Sequence, residues 1–316
     1  MGRGRPALAV AAAVLALACD GAAAEDPREP SSMTTTQSAS VPSHPAFDSS
    51  RAWQDVERQV AFGPRPAGSA AIQQTRDYIV AELKAAGIET RLQPFIAMTP
   101  LGDVSMANVI GTIPGRRPER IALASHFDTK LFRDIRFVGA NDGASSTAAL
   151  LELGRVLAKR QNAFTIELLF FDGEEAVVEW GRNNDNTYGS RHYVETAQRN
   201  GTLAGLRALV LLDMIGETGL LIRRDANSTP WLVDIVWAAA ARIGHRAAFS
   251  NELTAIDDDH MPFLRAGVPA VDIIDLEYPA WHTANDTIDQ ISPQSLQIVG
   301  DVVLAALPDI ERRLSP

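Results

Sequence analysis

The chain of 316 residues contains a single cysteine, Cys19. No intramolecular disulfide can form, so the fold has to be stabilised by a hydrophobic core and by any bound metal. Basic residues are also scarce, with 29 Lys and Arg against 39 Asp and Glu and a net charge of −10. A nucleic-acid partner needs a clustered basic face, and this charge balance argues against one.

The sequence also lacks an apolar run long enough to cross a membrane. The longest run, Ala7–Ala18, follows two arginines and is too short for a transmembrane helix. This pattern is typical of an export signal in residues 1–19 and predicts a periplasmic or cell-envelope protein. Cys19 resembles the lipidated cysteine of a bacterial lipobox, although Ala16 stands where leucine is usual. The alternative is an ordinary signal-peptidase site at Ala22-Ala-Ala24. Contact with a membrane is expected only through this lipid.

Residues 20–49 are rich in Pro, Ser, Thr and Ala and show no apolar periodicity, which predicts a disordered tether. From residue 50 to 316, helical patterns alternate with apolar strands. They predict one α/β domain, a three-layer sandwich with a mixed, largely parallel central sheet. Strands are predicted at Thr90–Phe95, Ser105–Ile113, Arg120–Ser125, Phe164–Phe171, Ala208–Asp213 and Val268–Ile274. Two helices are predicted before the first strand, and others at Asp142–Ala158, Tyr188–Thr196, Pro230–Ile243 and Pro293–Arg312.

Ionisable residues follow several of these apolar runs at the point where a strand is predicted to end. The segments are His126-Phe-Asp128, Asn141-Asp142, Asp172-Gly-Glu-Glu175, Asp213 and Trp281-His282. The carboxyl ends of parallel strands meet at one edge of a sheet, so these side chains are expected to lie together. Histidines and carboxylates in such a place predict a zinc site.

Asp142, Glu175 and His282 form an Asp-Glu-His set that suits a catalytic zinc ion with one position open to substrate or water. Asp142 could instead cap the helix predicted to start there, which is a common role for aspartate. The other segments favour its role as a ligand. The small residues Gly143–Ser146 would let the helix lie close to the metal.

The adjacent carboxylates Glu174 and Glu175 are the most specific feature of the sequence. Two such groups at a strand end repel each other unless their roles differ. Glu175 can bind the metal while Glu174 stays free to carry a proton near the substrate. The alternative, a solvated acidic loop, fits poorly after Leu168–Phe171, which should be buried.

For other residues the sequence leaves two interpretations open. Asp213 suits a further ligand or a hydrogen-bonding carboxylate. His126 and Asp128 could bind a metal or orient a ligand, and a lone histidine after a strand is as often structural. The acidic run Asp257-Asp-Asp-His260 is, taken by itself, typical of a solvated turn. Trp281 could pack against its neighbours or wall a pocket.

These residues resemble the zinc-dependent exopeptidase family and, within it, the glutaminyl-peptide cyclotransferases (glutaminyl cyclases) of the animal type. The resemblance covers roughly residues 50–316. It rests on Ser125-His-Phe-Asp-Thr-Lys130, Phe137-Val-Gly-Ala140, Phe170-Phe-Asp-Gly-Glu-Glu-Ala176, Tyr188-Gly-Ser-Arg-His192, Leu211-Leu-Asp-Met-Ile-Gly216, Asp258-Asp-His-Met-Pro-Phe-Leu264, Arg265-Ala-Gly-Val-Pro269 and Trp281-His-Thr283. The loop Val177–Thr187, which carries Trp180, is typical of the cyclase branch; the aminopeptidases have a shorter Gly-Leu-x-Gly-Ser stretch.

The resemblance implies conversion of an N-terminal glutamine of a peptide or protein into pyroglutamate, with loss of ammonia and with one zinc ion as cofactor. It assigns Asp142, Glu175 and His282 to zinc, Glu174 to proton transfer, Asp213 and Asp258 to the carboxylate network beside it, and Trp180 and Trp281 to the substrate pocket. A monomer is expected.

Two positions depart from the animal pattern. Ser125 and Thr147 stand where the secreted animal enzymes have a disulfide close to the site. Asp272 stands where the alignment places a histidine. Neither departure removes a proposed zinc ligand.

Two other functions stay open. A two-zinc aminopeptidase would use His126, Asp142, Glu175, Asp213 and His282, with Asp142 bridging the ions and Glu174 activating water. One zinc ion favours cyclisation, and two favour hydrolysis. A non-catalytic ectodomain is the remaining alternative, although every proposed ligand and the base are intact.

Overall fold

Residues 46–315 are described by a computed structural model, and a six-stranded mixed sheet lies at their centre. The strands in this range are β1 (Glu89–Thr99), β2 (Gly102–Ile113), β3 (Arg117–His126), β4 (Phe164–Phe171), β5 (Leu206–Asp213), β6 (Ile222–Asp225), β7 (Phe249–Thr254) and β8 (Ala270–Ile274). The sheet order is β1-β2-β4-β3-β5-β8, and β6 pairs with β7 separately. β4, β3, β5 and β8 run parallel, whereas β1 and β2 add antiparallel strands.

Helices cover both faces of the sheet. They are α1 (Ser49–Ala61), α2 (Ala70–Ala85), α3 (Ser146–Leu157), α4 (Tyr188–Arg199), α5 (Pro230–Arg242), α6 (Met261–Arg265) and α7 (Pro293–Leu314). On one face α1, α2, α3, α5 and α7 share a core that contains Val56, Leu150 and Leu296. On the other face α4 and α6 contribute Tyr193 and Phe263 to a second core. The prediction of a three-layer α/β fold with a largely parallel sheet is confirmed.

The parallel register brings the strand ends to one edge. His126 pairs with Phe171 across β3 and β4, and Asp213 pairs with Ile274 across β5 and β8. β4 is buried at every position but Thr165 and is apolar apart from Thr165 and Glu167, because helices cover both of its faces. Residues that follow β3, β4, β5 and β8 therefore emerge side by side.

The helix predicted from Asp142 begins later than expected. The regular helix α3 starts at Ser146, and Ala140–Ser145 forms a π-helical turn before it. Within that turn Asp142 (ψ 101°) and Gly143 (φ 89°) leave the helical conformation. The carboxylate of Asp142 contacts two histidines and does not cap the helix. A side chain at position 143 would place a Cβ 2.6 Å from the carbonyl oxygen of Asp128, so glycine lets the turn approach β3 closely.

Three elements were not predicted: β6, β7 and α6. β6 has only four residues, two of them arginines, and β7 is largely exposed. Neither offers the alternation or apolar run by which a strand is recognised. The export signal, Cys19 and the tether up to residue 45 lie outside the described residues and stay predictions. The predicted boundary at residue 50 is a few residues late, because Phe47 is buried in the core and α1 begins at Ser49. Between residues 46 and 315 no helix combines the length and apolarity that a membrane span requires.

Candidate metal centre and active site

Asp142, Glu175 and His282 come together at the carboxyl edge of the sheet, although they are far apart in the chain. His282 Nε2 lies 3.0 Å from Glu175 Oε1 and 3.3 Å from Asp142 Oδ2. Ligand atoms about 2.0–2.1 Å from a tetrahedral zinc ion are themselves about 3.3 Å apart, so this spacing fits zinc. Asp142 Oδ2 and Glu175 Oε2 are buried and have no hydrogen-bond donor among the described residues, as expected of oxygens that receive a metal ion.

The backbone around this set is fixed by one carboxylate, that of Asp286. It accepts hydrogen bonds from the N–H groups of Asn141 and Asp142 at 2.8 and 3.1 Å. The hydroxyl of Tyr278 donates a further bond to it at 3.0 Å. His282 has a positive φ of 54°, a conformation that a non-glycine residue adopts only when its surroundings hold it. Asp286 thus ties the loop of His282 to the turn of Asp142.

A second set shares Asp142 with the first. His126 Nε2 lies 3.2 Å from Asp142 Oδ1 and 3.1 Å from Asp213 Oδ1. One oxygen of Asp142 therefore faces each histidine, the arrangement of a bridging carboxylate. Burial disfavours ionisation of Asp142, but the close approach of His126 and His282 outweighs it and holds the pKa of Asp142 below the ordinary range.

Glu174 and Glu175 are both 5% exposed, which excludes a solvated acidic loop. Asp128 holds the peptide that carries them, because its two carboxylate oxygens accept the N–H groups of Glu174 and Glu175 at 3.0 and 3.2 Å. Burial raises the pKa of Glu174 well above its usual value; the positive charge of His126 opposes this, and Glu175 adds to it. Glu174 is thus a group suited to hold and release a proton.

Both carboxylates open into a cavity of about 360 Å³. Its wall also contains Lys130, Asp142, Val178, Trp180, Asp213, Met214, Ala255, Ile256, Asp257, Asp258, Ile274, Leu276, Trp281 and His282. Trp281 stacks on the ring of His282 with centroids 4.4 Å apart. The cavity combines an apolar wall with one cluster of polar groups, as small-molecule sites do.

The acidic run Asp257-Asp-Asp-His260 is not the solvated turn that its sequence suggests. Only Asp257 is exposed, whereas Asp258, Asp259 and His260 are 3%, 0% and 0% exposed. The turn leads directly into α6, which packs on the sheet and draws these residues inward. Burial, reinforced by the charge of Asp213, raises the pKa of Asp258 to about 7.

The positions that replace the animal disulfide lie against each other. The hydroxyl groups of Ser125 and Thr147 are 3.2 Å apart and join β3 to α3. Thr147 also donates a hydrogen bond to the carbonyl oxygen of His126 at 2.7 Å. A pair of hydroxyl groups thus links the two elements at this place.

Sequence reasoning gave no role to Lys130, Arg65 or Asp286. Lys130 Nζ lies 3.6 Å from Glu175 Oε2 and donates to the carbonyl oxygen of Ala176 at 3.0 Å. Arg65 is fully buried and donates to the carbonyl oxygens of the neighbouring loops, including that of Val138 at 2.7 Å. The sequence offered a signal for Lys130, which lies in a segment that carries the resemblance, and for Asp286, which lies shortly after His282 in the chain. It offered none for Arg65.

Comparison with known proteins agrees with this fold. The model of Peptidase family M28 matches residues 108–307, and the chain belongs to this family of zinc-exopeptidase-like proteins. Within the family it groups with the glutaminyl-peptide cyclotransferases.

Three relatives illustrate the grouping. The chain is 32% identical to the glutaminyl-peptide cyclotransferase-like protein of Mus musculus over 83% of this chain and 76% of the relative. It is 41% identical to a glutaminyl cyclase of an Acidobacteriales bacterium, with a TM-score of 0.82 and coverage of 88% of this chain and 99% of that one. It is 29% identical to a leucine aminopeptidase precursor from Bacteroides thetaiotaomicron, with a TM-score of 0.79 and coverage of 84% and 99%.

Proposed function

We propose that the chain is a zinc-dependent glutaminyl-peptide cyclotransferase, which converts the N-terminal glutamine of a peptide or protein into pyroglutamate and releases ammonia. The observation that carries this proposal is the position of Glu174. It is a buried carboxyl group beside the Asp142–Glu175–His282 set, and it faces a cavity large enough for one side chain folded on itself. The relatives that are named glutaminyl cyclases support it.

The reaction needs no nucleophile from the enzyme, because the α-amine of the substrate attacks its own side-chain amide carbon. A carbon–nitrogen bond forms to the α-amine, and the bond to the amide nitrogen breaks. One proton must therefore move from the first nitrogen to the second. Glu174 accepts the proton from the amine and delivers it to the leaving nitrogen, which departs as ammonia.

The other residues of the site form the walls of the cavity and supply its charges. Asp213 and Asp258 line the cavity beside Glu174 and form the carboxylate network that holds its proton in place. Trp180 and Trp281 provide walls against which the glutamine side chain can fold back toward its own amine. Asp142, Glu175 and His282 would hold a zinc ion, which would supply a Lewis acid for the amide carbonyl and for the negative charge that develops on its oxygen.

One zinc ion is proposed. His126 Nε2 lies 3.1 Å from Asp213 Oδ1, and these two residues with Asp142 also have the spacing of metal ligands. The geometry that would suit two ions, with Asp142 between His126 and His282, belongs to the aminopeptidase alternative. The proposal of a single ion rests on the resemblance to the glutaminyl cyclases, and the zinc content of the purified chain tests it.

The deciding experiment supplies the purified chain, with its zinc content measured, with a glutaminyl peptide and a leucyl anilide in parallel. Release of ammonia with the matching mass loss from the peptide, little anilide, and one zinc ion per chain are expected. Anilide release without ammonia, with two zinc ions, would establish the aminopeptidase. No turnover of either substrate in a zinc-loaded chain would point to a non-catalytic ectodomain.

Export and lipid attachment at Cys19 are also proposed, and the support is the sequence of the first 24 residues alone. Cys19→Ala should release the protein from the membrane fraction without changing its activity. An unchanged membrane fraction would favour a different mode of attachment.

A further inference from the structure

A second buried cluster lies behind the wall of the cavity and shares only Asp258 with it. It consists of Asp225 at the end of β6, Asp258 and His260 in the turn before α6, and Asp272 in β8. Asp225 and Asp258 are 3% exposed, and His260 and Asp272 are 0% exposed. One ligand-type atom each of Asp258, His260 and Asp272 lies within 4.8 Å of the others.

The ring of His260 lies between carboxylates on both sides. Its Nε2 is 3.0 Å from Asp225 Oδ2, and its Nδ1 is 3.7 Å from Asp272 Oδ2. Both nitrogens are buried and neither makes a hydrogen bond among residues 46–315, and both oxygens of Asp272 also lack a donor. A histidine ring can face two carboxylates at once, because its two nitrogens lie on different edges of the ring.

Asp225 is the fixed end of the cluster. Its carboxylate accepts the hydroxyl of Ser228 at 2.7 Å and the N–H groups of Asn227 and Ile256 at 3.0 Å each. Burial alone would raise its pKa, but these bonds and His260 outweigh burial and hold the pKa below the usual value. Asp225 therefore anchors the ring of His260 from the side away from the cavity.

Asp258 is the end that reaches the cavity. It lines the wall with Glu174 and Asp213, while its buried Oδ2 has no hydrogen-bond donor. Asp272 lies on the same side of His260 and brings a carboxyl group where the animal pattern has a histidine. Because this position adds an acid to an already acidic interior, the cluster needs a donor between its carboxyl groups. His260 is placed to be that donor.

We propose that His260, held by Asp225, is a positioning residue: its ring separates Asp225 from Asp272 and keeps the carboxyl group of Asp258 in the cavity wall beside Glu174. His260 does not touch the substrate and acts through Asp258. The inference rests on the proposed function, since it concerns the proton transfer by Glu174. Substitution of His260 or Asp272 should therefore change the rate of the cyclisation step and leave zinc binding unchanged.

The test compares His260→Asn, Asp272→Asn and the double variant in the full chain, with kcat, KM, zinc content and Tm measured for each. His260→Asn is expected to lower kcat at least about tenfold, equal to about 1.4 kcal/mol, with KM within about twofold and zinc unchanged. The double variant should regain most of this loss, because removing one carboxylate restores the balance that the ring provided. His192→Asn is the matched control. The half-buried ring of His192 in α4 stacks on Phe95 of β1, and its substitution should leave kcat unchanged.

Three results would overturn the proposal: kcat of His260→Asn within about twofold of the parent, a double variant no better than the single one, or zinc lost in parallel with kcat. The last would identify the cluster as part of a metal site. If His260→Asn does not fold, Asp225→Asn tests the same point from the anchoring side, and an unchanged kcat there contradicts it. A parent chain that does not cyclise glutamine would refute the proposed function instead.

Discussion

At the scale of single residues, the site depends on Asp142, whose two oxygens lie 3.2 and 3.3 Å from two different histidines. The same aspartate could bind one ion or bridge two, so its identity alone does not decide the reaction. Glu174 is buried beside the set and can carry a proton in either reaction, so the metal ligands and the base are tested separately. Two predictions separate these roles.

Glu174→Gln should lower kcat by a factor of about 10²–10⁴ and leave the zinc content unchanged, because the amide keeps the shape of the side chain but cannot accept a proton. Ammonia release and zinc analysis on the same sample measure both effects. Glu179→Gln, an exposed glutamate of the neighbouring loop, is the control. Activity that survives in Glu174→Gln would remove the base assignment.

His282→Ala should lower zinc content and activity together, since it removes the only imidazole of the proposed ligand set. The expected loss of metal affinity exceeds the 10–100-fold effect that is typical of residues that merely orient a ligand. His245→Ala, in the connection after α5, should change neither. Full zinc occupancy in His282→Ala would take His282 out of the ligand set.

At the scale of elements, short loops hold in place the side chains that follow the strands. The loop after β4 folds around the carboxylate of Asp185, which accepts the N–H groups of Val177, Val178 and Glu179 at 3.0, 2.7 and 2.9 Å. The hydroxyl of Tyr188 donates to the same carboxylate at 2.7 Å. This single side chain fixes the loop that presents Trp180 to the cavity.

Asp185→Ala should therefore raise KM for a glutaminyl peptide by about fivefold or more, because loss of a capping carboxylate costs about 1 kcal/mol and frees Trp180. The expected effect on kcat is smaller. Steady-state kinetics at constant zinc occupancy provide the measurement, with the exposed Asp134→Ala as control. An unchanged KM would show that the loop does not contact the substrate.

A second element-scale contact joins the loops after β5 and β8. Burial and the nearby Asp275 raise the pKa of Glu217 to about 7. An unfolded glutamate titrates near about 4.3, so the folded chain binds this proton more tightly, and the parent loses stability as pH rises from about 4.3 to 7. The variant Glu217→Gln has no carboxyl group to titrate at this position, so it should not lose stability over this pH range.

The expected outcome is a Tm of Glu217→Gln above that of the parent at pH 8 and equal to it near pH 4.5. Thermal unfolding at both pH values gives the comparison, and Glu195→Gln, an exposed glutamate of α4, should track the parent throughout. A Tm difference that is the same at both pH values would mean that Glu217 does not share a proton with Asp275.

At the scale of the whole molecule, the net charge of −10 is partly concentrated inside the fold. Asp142, Glu174, Glu175, Asp213 and Asp258 are all buried at one edge of the sheet. Few cations accompany them, chiefly Arg65 and Lys130 with the two histidines. A zinc ion would offset this charge and link segments that are distant in the chain.

Removal of zinc with a chelator should therefore lower Tm by several degrees, and added zinc should restore it. A ligand at a hundredfold excess over its Kd stabilises the folded state by about 2.7 kcal/mol, and each kcal/mol shifts Tm by about 2–4 °C in a domain of this size. The same treatment of His282→Ala should give a smaller shift. A parent Tm that does not respond to complete zinc removal would contradict a role of the metal in stability.

The sequence by itself determined the α/β class, the strands that lead into the site and the Glu174–Glu175 pair, because these depend on local patterns and on the shared edge of parallel strands. Only the tertiary structure decided that Asp142 faces both histidines, that Asp286 ties its turn to the loop of His282, and that Asp258 and His260 are buried. Burial depends on neighbours that the local pattern does not contain, here β6, which brings Asp225 to the ring of His260, and the packing of α6 on the sheet. No local pattern in an acidic run can reveal which segments will cover it.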